Sequence, residues 1–380
     1  MAEARPRLSN GERTARRTRA GTRRAHRAVS IRRLGWLLSG VALALIPAAA
    51  LANPARPVWK PGPPWAPLAP ASGEMSEISN LFWVMLVLSG LVFAGVCAAL
   101  IYSAVKYTGK DSDPDPPQVF GNRSVEILWT IIPTVILLGA FGATVKAIHD
   151  INNPNSSGTV LQIRAIGHQW WWEFQYPGLK IETANEVHIP THTKVHFHVE
   201  SIDVIHSFWI PEITRQIDAN PAQDNAVYAT LSDPGVYGGA CYEYCGVAHA
   251  WMKFRAVVQT PAQFAAWAKH EQQIPSTAPA STSSASATDI AAGRQVFLNN
   301  TCVECHTIQG TTAGGTVGPN LTHVASRWAI AGGAAPVTRY DLMHWIENPQ
   351  TYKQGVVMPP YSFLSHKQVG QLADYLLSLK

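Results

Sequence analysis

Cysteine is scarce in this chain, with five in 380 residues. Four of the five fall into two short clusters, which excludes a scaffold stapled throughout by disulfides, as in small exported domains. The fifth, Cys97, sits inside an apolar run and reads as a packing residue. Charge is thin as well, at 14% Asp, Glu, Lys and Arg. Its basic excess is local: of the 30 Lys and Arg, 11 lie in residues 1–52 beside two of the 25 Asp and Glu, so the rest carries 19 against 23. A weakly acidic remainder gives no ground for a nucleic-acid partner and would suit a basic protein partner. Internal repeats are absent, so each region is read by itself.

Residues 1–52 have the layout of an export leader: an Arg-rich stretch ending at Arg32-Arg33, an apolar run over 34–46, and small residues before Ala52, where cleavage is expected. An uncleaved anchor is the rival, but the run is short for spanning and Pro47 ends it. The Arg pair fits a twin-arginine signal poorly, which leaves the export route open. A Pro- and Ala-rich irregular segment fills 53–77.

Apolar stretches over about 78–105 and 125–147 are each long enough to cross a bilayer as a helix. The loop between them carries Lys106, Lys110 and Arg123, and the positive-inside rule places it in the cytoplasm. The unit is a transmembrane hairpin with both flanks outside. Glu126, at the start of the second helix, reads either as a snorkelling carboxylate or as a proton-entry group. Pro133 is expected to bend that helix. Residues 149–270 switch to period two with β-branched and aromatic residues, as in EVHIP, KVHFHVES and MKFRAVVQT. They predict a compact Greek-key β-barrel or sandwich, with a short helix near 262–273. A flexible Ser/Thr/Ala/Pro linker over 271–288 leads to a small domain, 289–380, with helical segments at each end.

The stretch CYEYCGVAHAWM spaces its donors as C-x3-C-x3-H-x2-M, from Cys241 through Cys245 and His249 to Met252. Thiol, imidazole and thioether together suit copper. A single blue-copper centre uses one thiolate, so the surplus thiol points to two bridged copper ions, each needing an imidazole and a weak ligand. His206, in DVIHSFWIP, is the best source of the second imidazole. Met252 and the backbone carbonyl of Glu243 remain as weak ligands. An electron shared over two bridged ions changes each bond little, which suits electron transfer. Zinc is a rival, but it rarely takes Met and usually shows C-x2-C spacing. A Cys241–Cys245 disulfide is another, and it leaves His249 and Met252 unexplained. His188, His192, His196 and His198 lie on alternating strand-like segments and read as surface or packing residues.

CVECH, at 302–306, is a covalent haem c attachment signal: Cys302 and Cys305 would add to the vinyl groups, and His306 would ligate iron. Met358, in GVVMPPY, is the expected second axial ligand. Met343 competes, but its helical setting marks it as a core residue.

The hairpin, GHQWWWEF, DVIHSFWIP and the copper loop together resemble subunit II of the haem–copper cytochrome c oxidases, over roughly 75–265. Residues 289–380 resemble small class I cytochromes c, through AAGRQVF, CVECH and GPNL, so the whole is similar to the fused subunit of caa-type oxidases. The resemblance implies a multidomain membrane protein: an N-terminal two-helix transmembrane hairpin, a cupredoxin-like barrel and a C-terminal all-α cytochrome c domain. It implies that Cys241, Cys245, His206, His249, Met252 and the Glu243 carbonyl form the binuclear CuA centre. The Glu243 side chain would face a magnesium or manganese ion shared with subunit I. Trp170 would be the electron-entry aromatic, and Glu126 would lie near the mouth of a proton channel. Gly293 would let the first haem-domain helix approach the last one near Tyr375.

The implied cofactors are two copper ions and one haem c. The implied activity is electron entry into a cytochrome c oxidase coupled to proton translocation, with oxygen reduced in subunit I. Subunit III and a cytochrome c or other donor would be further partners. The place would be the bacterial inner membrane, with both redox domains on its outer face. Two alternatives are an electron-transfer protein serving another terminal reductase, nitrous oxide reductase-like, and a copper-handling protein. One departure is visible: Ile217-Asp218-Ala219 continues as Asn220-Pro221-Ala222 where the family usually turns through Pro-Gly, which alters a loop and no ligand.

Overall fold

The computed structural model describes residues 68–109, 114, 117–152, 160–275 and 285–380. The expected leader, most of the irregular segment after it, Lys110 and the middle of the expected linker lie outside the described residues. Helix α1, Gly73–Lys106, begins where the Ser72 side chain accepts from the Met75 amide. Helix α2, Arg123–Asn152, continues through Pro133. Both exceed their expected bounds, because polar turns extend each apolar run. The two helices pack on each other and expose Trp83, Leu91, Phe93, Leu137 and Phe141 along their flanks, the surface of elements solvated by lipid rather than water.

The far ends of this hairpin are tied to a β-barrel. The Glu74 carboxylate accepts from the Thr230 amide at 2.9 Å, and Arg215 donates to the Asn152 side chain at 3.2 Å. The barrel has two five-stranded sheets. One runs β3 (Ile181–Ala184), β2 (Trp171–Tyr176), β1 (Val160–His168), β5 (Lys194–Ser201), β8 (Asn225–Thr230). The other runs β4 (Glu186–Pro190), β10 (Lys253–Gln259), β9 (Gly235–Cys241), β6 (His206–Trp209), β7 (Ile217–Ala219). β1–β5 and β4–β10 are parallel and the other named pairs are antiparallel.

Strict alternation in β5 and β10 turns every second side chain inward. Trp172, Phe174, Phe197, Phe208 and Phe254 fill the space between the sheets, with Phe208 stacked on Phe254 at 5.1 Å. Each such burial is worth roughly 1.5–3 kcal/mol, so this aromatic cluster holds the frame on which the copper loop is built.

Helix α3, Pro261–Glu271, closes the barrel through a capping box between Thr260 and Gln263. The haem-motif domain follows with α4 (Ala287–Leu298), α5 (Cys302–Cys305), α6 (Arg339–Glu347) and α7 (His366–Ser378). It also has a two-residue ladder, β11 (Ala329–Ile330) with β12 (Ala335–Pro336), around a turn whose residues 331–333 all have positive φ. The sequence does not announce that ladder, because two paired residues leave no periodicity to read.

Glu186 on β4 is buried between His188 Nε2 at 2.9 Å and Arg255 Nε at 2.6 Å. Burial alone would raise its carboxyl, but the His188 and Arg255 bonds and charges outweigh burial and hold it below the ordinary value. A carboxyl lowered in the fold stabilises it above the unfolded value, about 4.3. That contribution is lost as pH falls through the lowered value. Melting temperatures from about pH 6 to about pH 3 should therefore fall more steeply for the native chain than for Glu186→Gln; parallel curves would assign the acid loss to other carboxyls.

Candidate metal centre

Strand β9 ends at Cys241, and the chain then loops through Cys245 to a 3-10 turn, His249–Trp251, before β10. The Cys241 amide donates to the Met252 carbonyl at 2.9 Å and the Tyr242 amide to Ser207 at 3.0 Å, which clamps both ends of the loop. Strand β6, paired to β9 through Phe208 and Cys241, brings His206 alongside.

The donors sort into two sets around two sulfurs. Cys241 Sγ lies 3.8 Å from His206 Nδ1 and 3.2 Å from the Glu243 carbonyl. Cys245 Sγ lies 3.5 Å from His249 Nδ1 and 3.8 Å from Met252 Sδ. The sulfurs are 3.8 Å apart, a separation that leaves both cysteines free. His206, Cys241, Cys245 and Met252 are buried. The hydrogen bond between the thiols pushes Cys241 down to about 4 and, with burial, Cys245 up. Metal binding at these thiols releases their protons, so affinity would fall with falling pH.

His206 Nε2 meets the Asp203 carboxylate at 2.7 Å, which fixes the ring and leaves Nδ1 for the loop, as in carboxylate–histidine–metal arrangements. Asp203 itself is held below the ordinary carboxylate value: burial opposes this, but bonds from His206 and the Val204 and Gln169 amides prevail. Nothing in the sequence singled out Asp203 beyond its place three residues before His206. Gly167 is also part of this support. A Cβ there would lie 2.6 Å from His206 Cδ2 and 2.9 Å from Cγ, so Gly167→Ala should displace the ring and weaken copper binding by roughly 10–100-fold. Copper retained by purified protein against a graded chelator would read this directly, and an unchanged titration would show that the ring gives way freely.

Trp170 sits over the same loop, its indole N–H donating to the Cys245 carbonyl at 3.0 Å. Trp171 stacks on His168 at 4.0 Å, and Trp172 lies in the core. His188 stacks on Trp267, His196 stacks on Tyr228, and His198 pairs with Asp224; His192 occupies a turn with φ of 56°. Glu126 stands apart. It lies in the first turn of α2, and the barrel is tied to the other end of that helix at Asn152, roughly 39 Å away along the axis.

Beside Trp170 opens a cavity of about 410 Å³ lined by Cys302, Cys305, His306 and Met358 as well as by Trp170 and Trp171. His306 Nδ1–H donates to the Pro319 carbonyl at 2.7 Å, which leaves Nε2 as a free lone pair, and burial lowers the ring's pKa and keeps it neutral. Met343 is in the domain core, its sulfur 3.2 Å from Arg339. Arg327, which the sequence pattern does not mark, lines the cavity half-buried; it donates to the Asn320 carbonyl and keeps a buried Nε without a partner. An apolar slot with a neutral imidazole, two thiols, a thioether and a guanidinium suits an iron macrocycle bearing carboxylates.

Three family descriptions match the chain: "Cytochrome C oxidase subunit II, transmembrane domain" over 68–141, "Cytochrome C oxidase subunit II, periplasmic domain" over 178–260, and "Cytochrome c" over 290–380. Cytochrome c oxidase subunit 2 of Alkalihalophilus pseudofirmus is 33% identical over 321 residues, covering 82% of this chain and 90% of that protein. The chain belongs to the cytochrome c oxidase subunit II family. The subunit 2 of Bacillus sp. strain PS3 is likewise 33% identical, over 70% of this chain and 77% of its own. A crystal structure of the periplasmic domain of subunit II of cytochrome oxidase from Bradyrhizobium japonicum is 30% identical. It covers 30% of this chain and 93% of that domain, with a TM-score of 0.29. This subunit II is thus a membrane protein with a periplasmic copper-type domain and a fused C-terminal cytochrome c domain.

Proposed function

We propose that this subunit II is the electron-entry arm of an oxygen-reducing haem–copper oxidase. Two copper ions held by His206, Cys241, the Glu243 carbonyl, Cys245, His249 and Met252, with a haem held by Cys302, Cys305, His306 and Met358, would supply a one-electron relay from an external donor towards subunit I. The observation that carries this reading is the division of the donors: each sulfur has one imidazole and one weak donor within 3.8 Å. A rigid barrel and buried ligands keep the geometry from relaxing between redox states. Asp203 holds the His206 ring, and Trp170 holds the Cys245 carbonyl.

The same reading assigns the exposed Glu243 side chain to a magnesium or manganese ion at the boundary with subunit I, and Glu126 to the cytoplasmic mouth of a proton path. It extends to coupling with proton translocation, to a neighbouring subunit III, and to an inner-membrane place after leader removal at Ala52. Its domain borders are a hairpin over 78–148, a copper domain over 149–270, a linker over 271–288 and a haem domain over 289–380.

Electron paramagnetic resonance of the oxidised, purified complex tests the relay. An unpaired electron split by two equivalent copper nuclei, together with a haem–copper subunit I in the same preparation, is the expected result. Splitting by a single nucleus would overturn the binuclear assignment, and absence of subunit I would overturn the oxidase reading.

A further inference from the structure

Lys353 lies in the loop between α6 and α7 and is 2% exposed. Among the described residues it has no carboxylate partner. Its ammonium donates instead to three backbone carbonyls: Trp170, Trp251 at 3.3 Å and Ala331 at 3.4 Å. Trp170 and Trp251 belong to the barrel, and Ala331 belongs to the haem domain. Burying an ammonium without a carboxylate partner is costly, and burial, opposed by the nearby Cys245, pushes this one down to about 7. A lysine in such a place is worth its cost only through the groups it holds together.

Those groups adjoin both redox sites. The Trp170 indole is bonded to the Cys245 carbonyl, and Trp251 immediately precedes Met252. Residues 331 and 332 border the haem cavity. Gly332 lets this turn close on the barrel, since a Cβ there would lie 2.5 Å from the Trp251 carbonyl and 3.0 Å from Lys353 Nζ. The seam continues outward, with the Trp328 indole donating to the Asn185 carbonyl at 3.3 Å and the Arg255 guanidinium 5.4 Å over the Trp328 ring. His323 meets the Gln273 carbonyl at 3.0 Å, which secures the start of the connecting segment.

We propose that Lys353 is a positioning residue for electron transfer: it locks the mouth of the haem cavity onto the Trp170–Trp171 face of the barrel, so that the C-terminal domain works as a fixed relay and not as a tethered shuttle. The proposal rests on the reading of the two sites given above. The step it serves is the passage of one electron from reduced haem c to the oxidised copper pair, with no bond made or broken at Lys353. In the locked arrangement Trp170 is covered, 7% exposed, so an external donor has to deliver to the haem side.

The test uses the purified oxidase complex with Lys353→Met, and with Lys367→Met as an exposed control. Hydrogen exchange over residues 170–172 and 328–333 should rise in Lys353→Met and stay unchanged in the control. Flash-initiated transfer from haem to copper should slow by about tenfold, the equivalent of one net hydrogen bond, and become sensitive to viscosity. Gly332→Ala, which opens the same contact from the other side, should reproduce both effects. Native exchange and a viscosity-independent rate within about twofold of wild type, with copper and haem spectra intact, would overturn the role of Lys353. A wild-type complex lacking the two-copper signal would overturn the underlying reading instead.

Discussion

Replacing Cys245 with serine is expected to abolish the two-copper signal and to cut oxidation of an external donor at least about a hundredfold. The Cys245 sulfur meets three other donors, Cys241 Sγ at 3.8 Å, His249 Nδ1 at 3.5 Å and Met252 Sδ at 3.8 Å, so its loss takes the shared sulfur from one half of the site and the bridge from both. A serine hydroxyl is smaller, harder and not ionised at neutral pH, and it cannot bridge soft ions. The barrel should survive, because Cys245 is one small member of a core dominated by the aromatic cluster behind the loop. The haem domain should keep its attached haem, since Cys302 lies in a separate core cluster and Cys305 lines the cavity beside it. Copper content, paramagnetic resonance and haem absorbance of the variant would be measured side by side. A persisting two-nucleus signal would remove Cys245 from the centre.

Gly293→Ala is expected to unfold the haem domain under conditions in which the barrel stays intact. A Cβ at Gly293 would sit 1.9 Å from the Gln371 carbonyl oxygen, 2.5 Å from its carbon and 2.9 Å from Tyr375 Cβ. Two of these three atoms are backbone of α7, so the helices would have to part rather than a side chain rotate. Overpacking that flexible groups absorb costs about 1–3 kcal/mol. A helix-on-helix clash with no such outlet should exceed about 4 kcal/mol, a large share of the roughly 5–15 kcal/mol that holds a domain together. For a unit of this size the midpoint should fall by more than about 15 °C. Gly314→Ala, where nothing lies within 4 Å, is the matched control. A drop under about 4 °C for Gly293→Ala would show that α4 and α7 can slide apart cheaply.

The chemistry of both redox sites is legible in sequence because most of each donor set is local. Cys241, Cys245, His249 and Met252 share one loop, and CVECH is a single turn of helix. His206 is distant but recoverable, since the surplus thiol demands a second imidazole. Strand β5 shows its alternation openly, whereas β9 does not: GVYGGAC holds three glycines, one of which faces the Phe254 ring in place of a side chain. Lys353, Arg327 and Asp203 were illegible for a different reason. Each acts only through what the fold brings against it: three carbonyls, an apolar slot, an imidazole. A lysine in QTYKQG looks like any surface lysine until the barrel closes over it.

The two ties between hairpin and barrel have a mechanical consequence. Glu74 grips β8 and Asn152 is gripped by Arg215, so the barrel stands on two legs and not on one stalk. A body on a single stalk can spin and nod; one on two separated feet can do neither freely. Helices of 34 and 30 residues measure roughly 51 and 45 Å, against a hydrocarbon layer of about 30 Å. Helices longer than the layer, joined to the barrel at two points, make a stiff base that sets the heading of the copper loop.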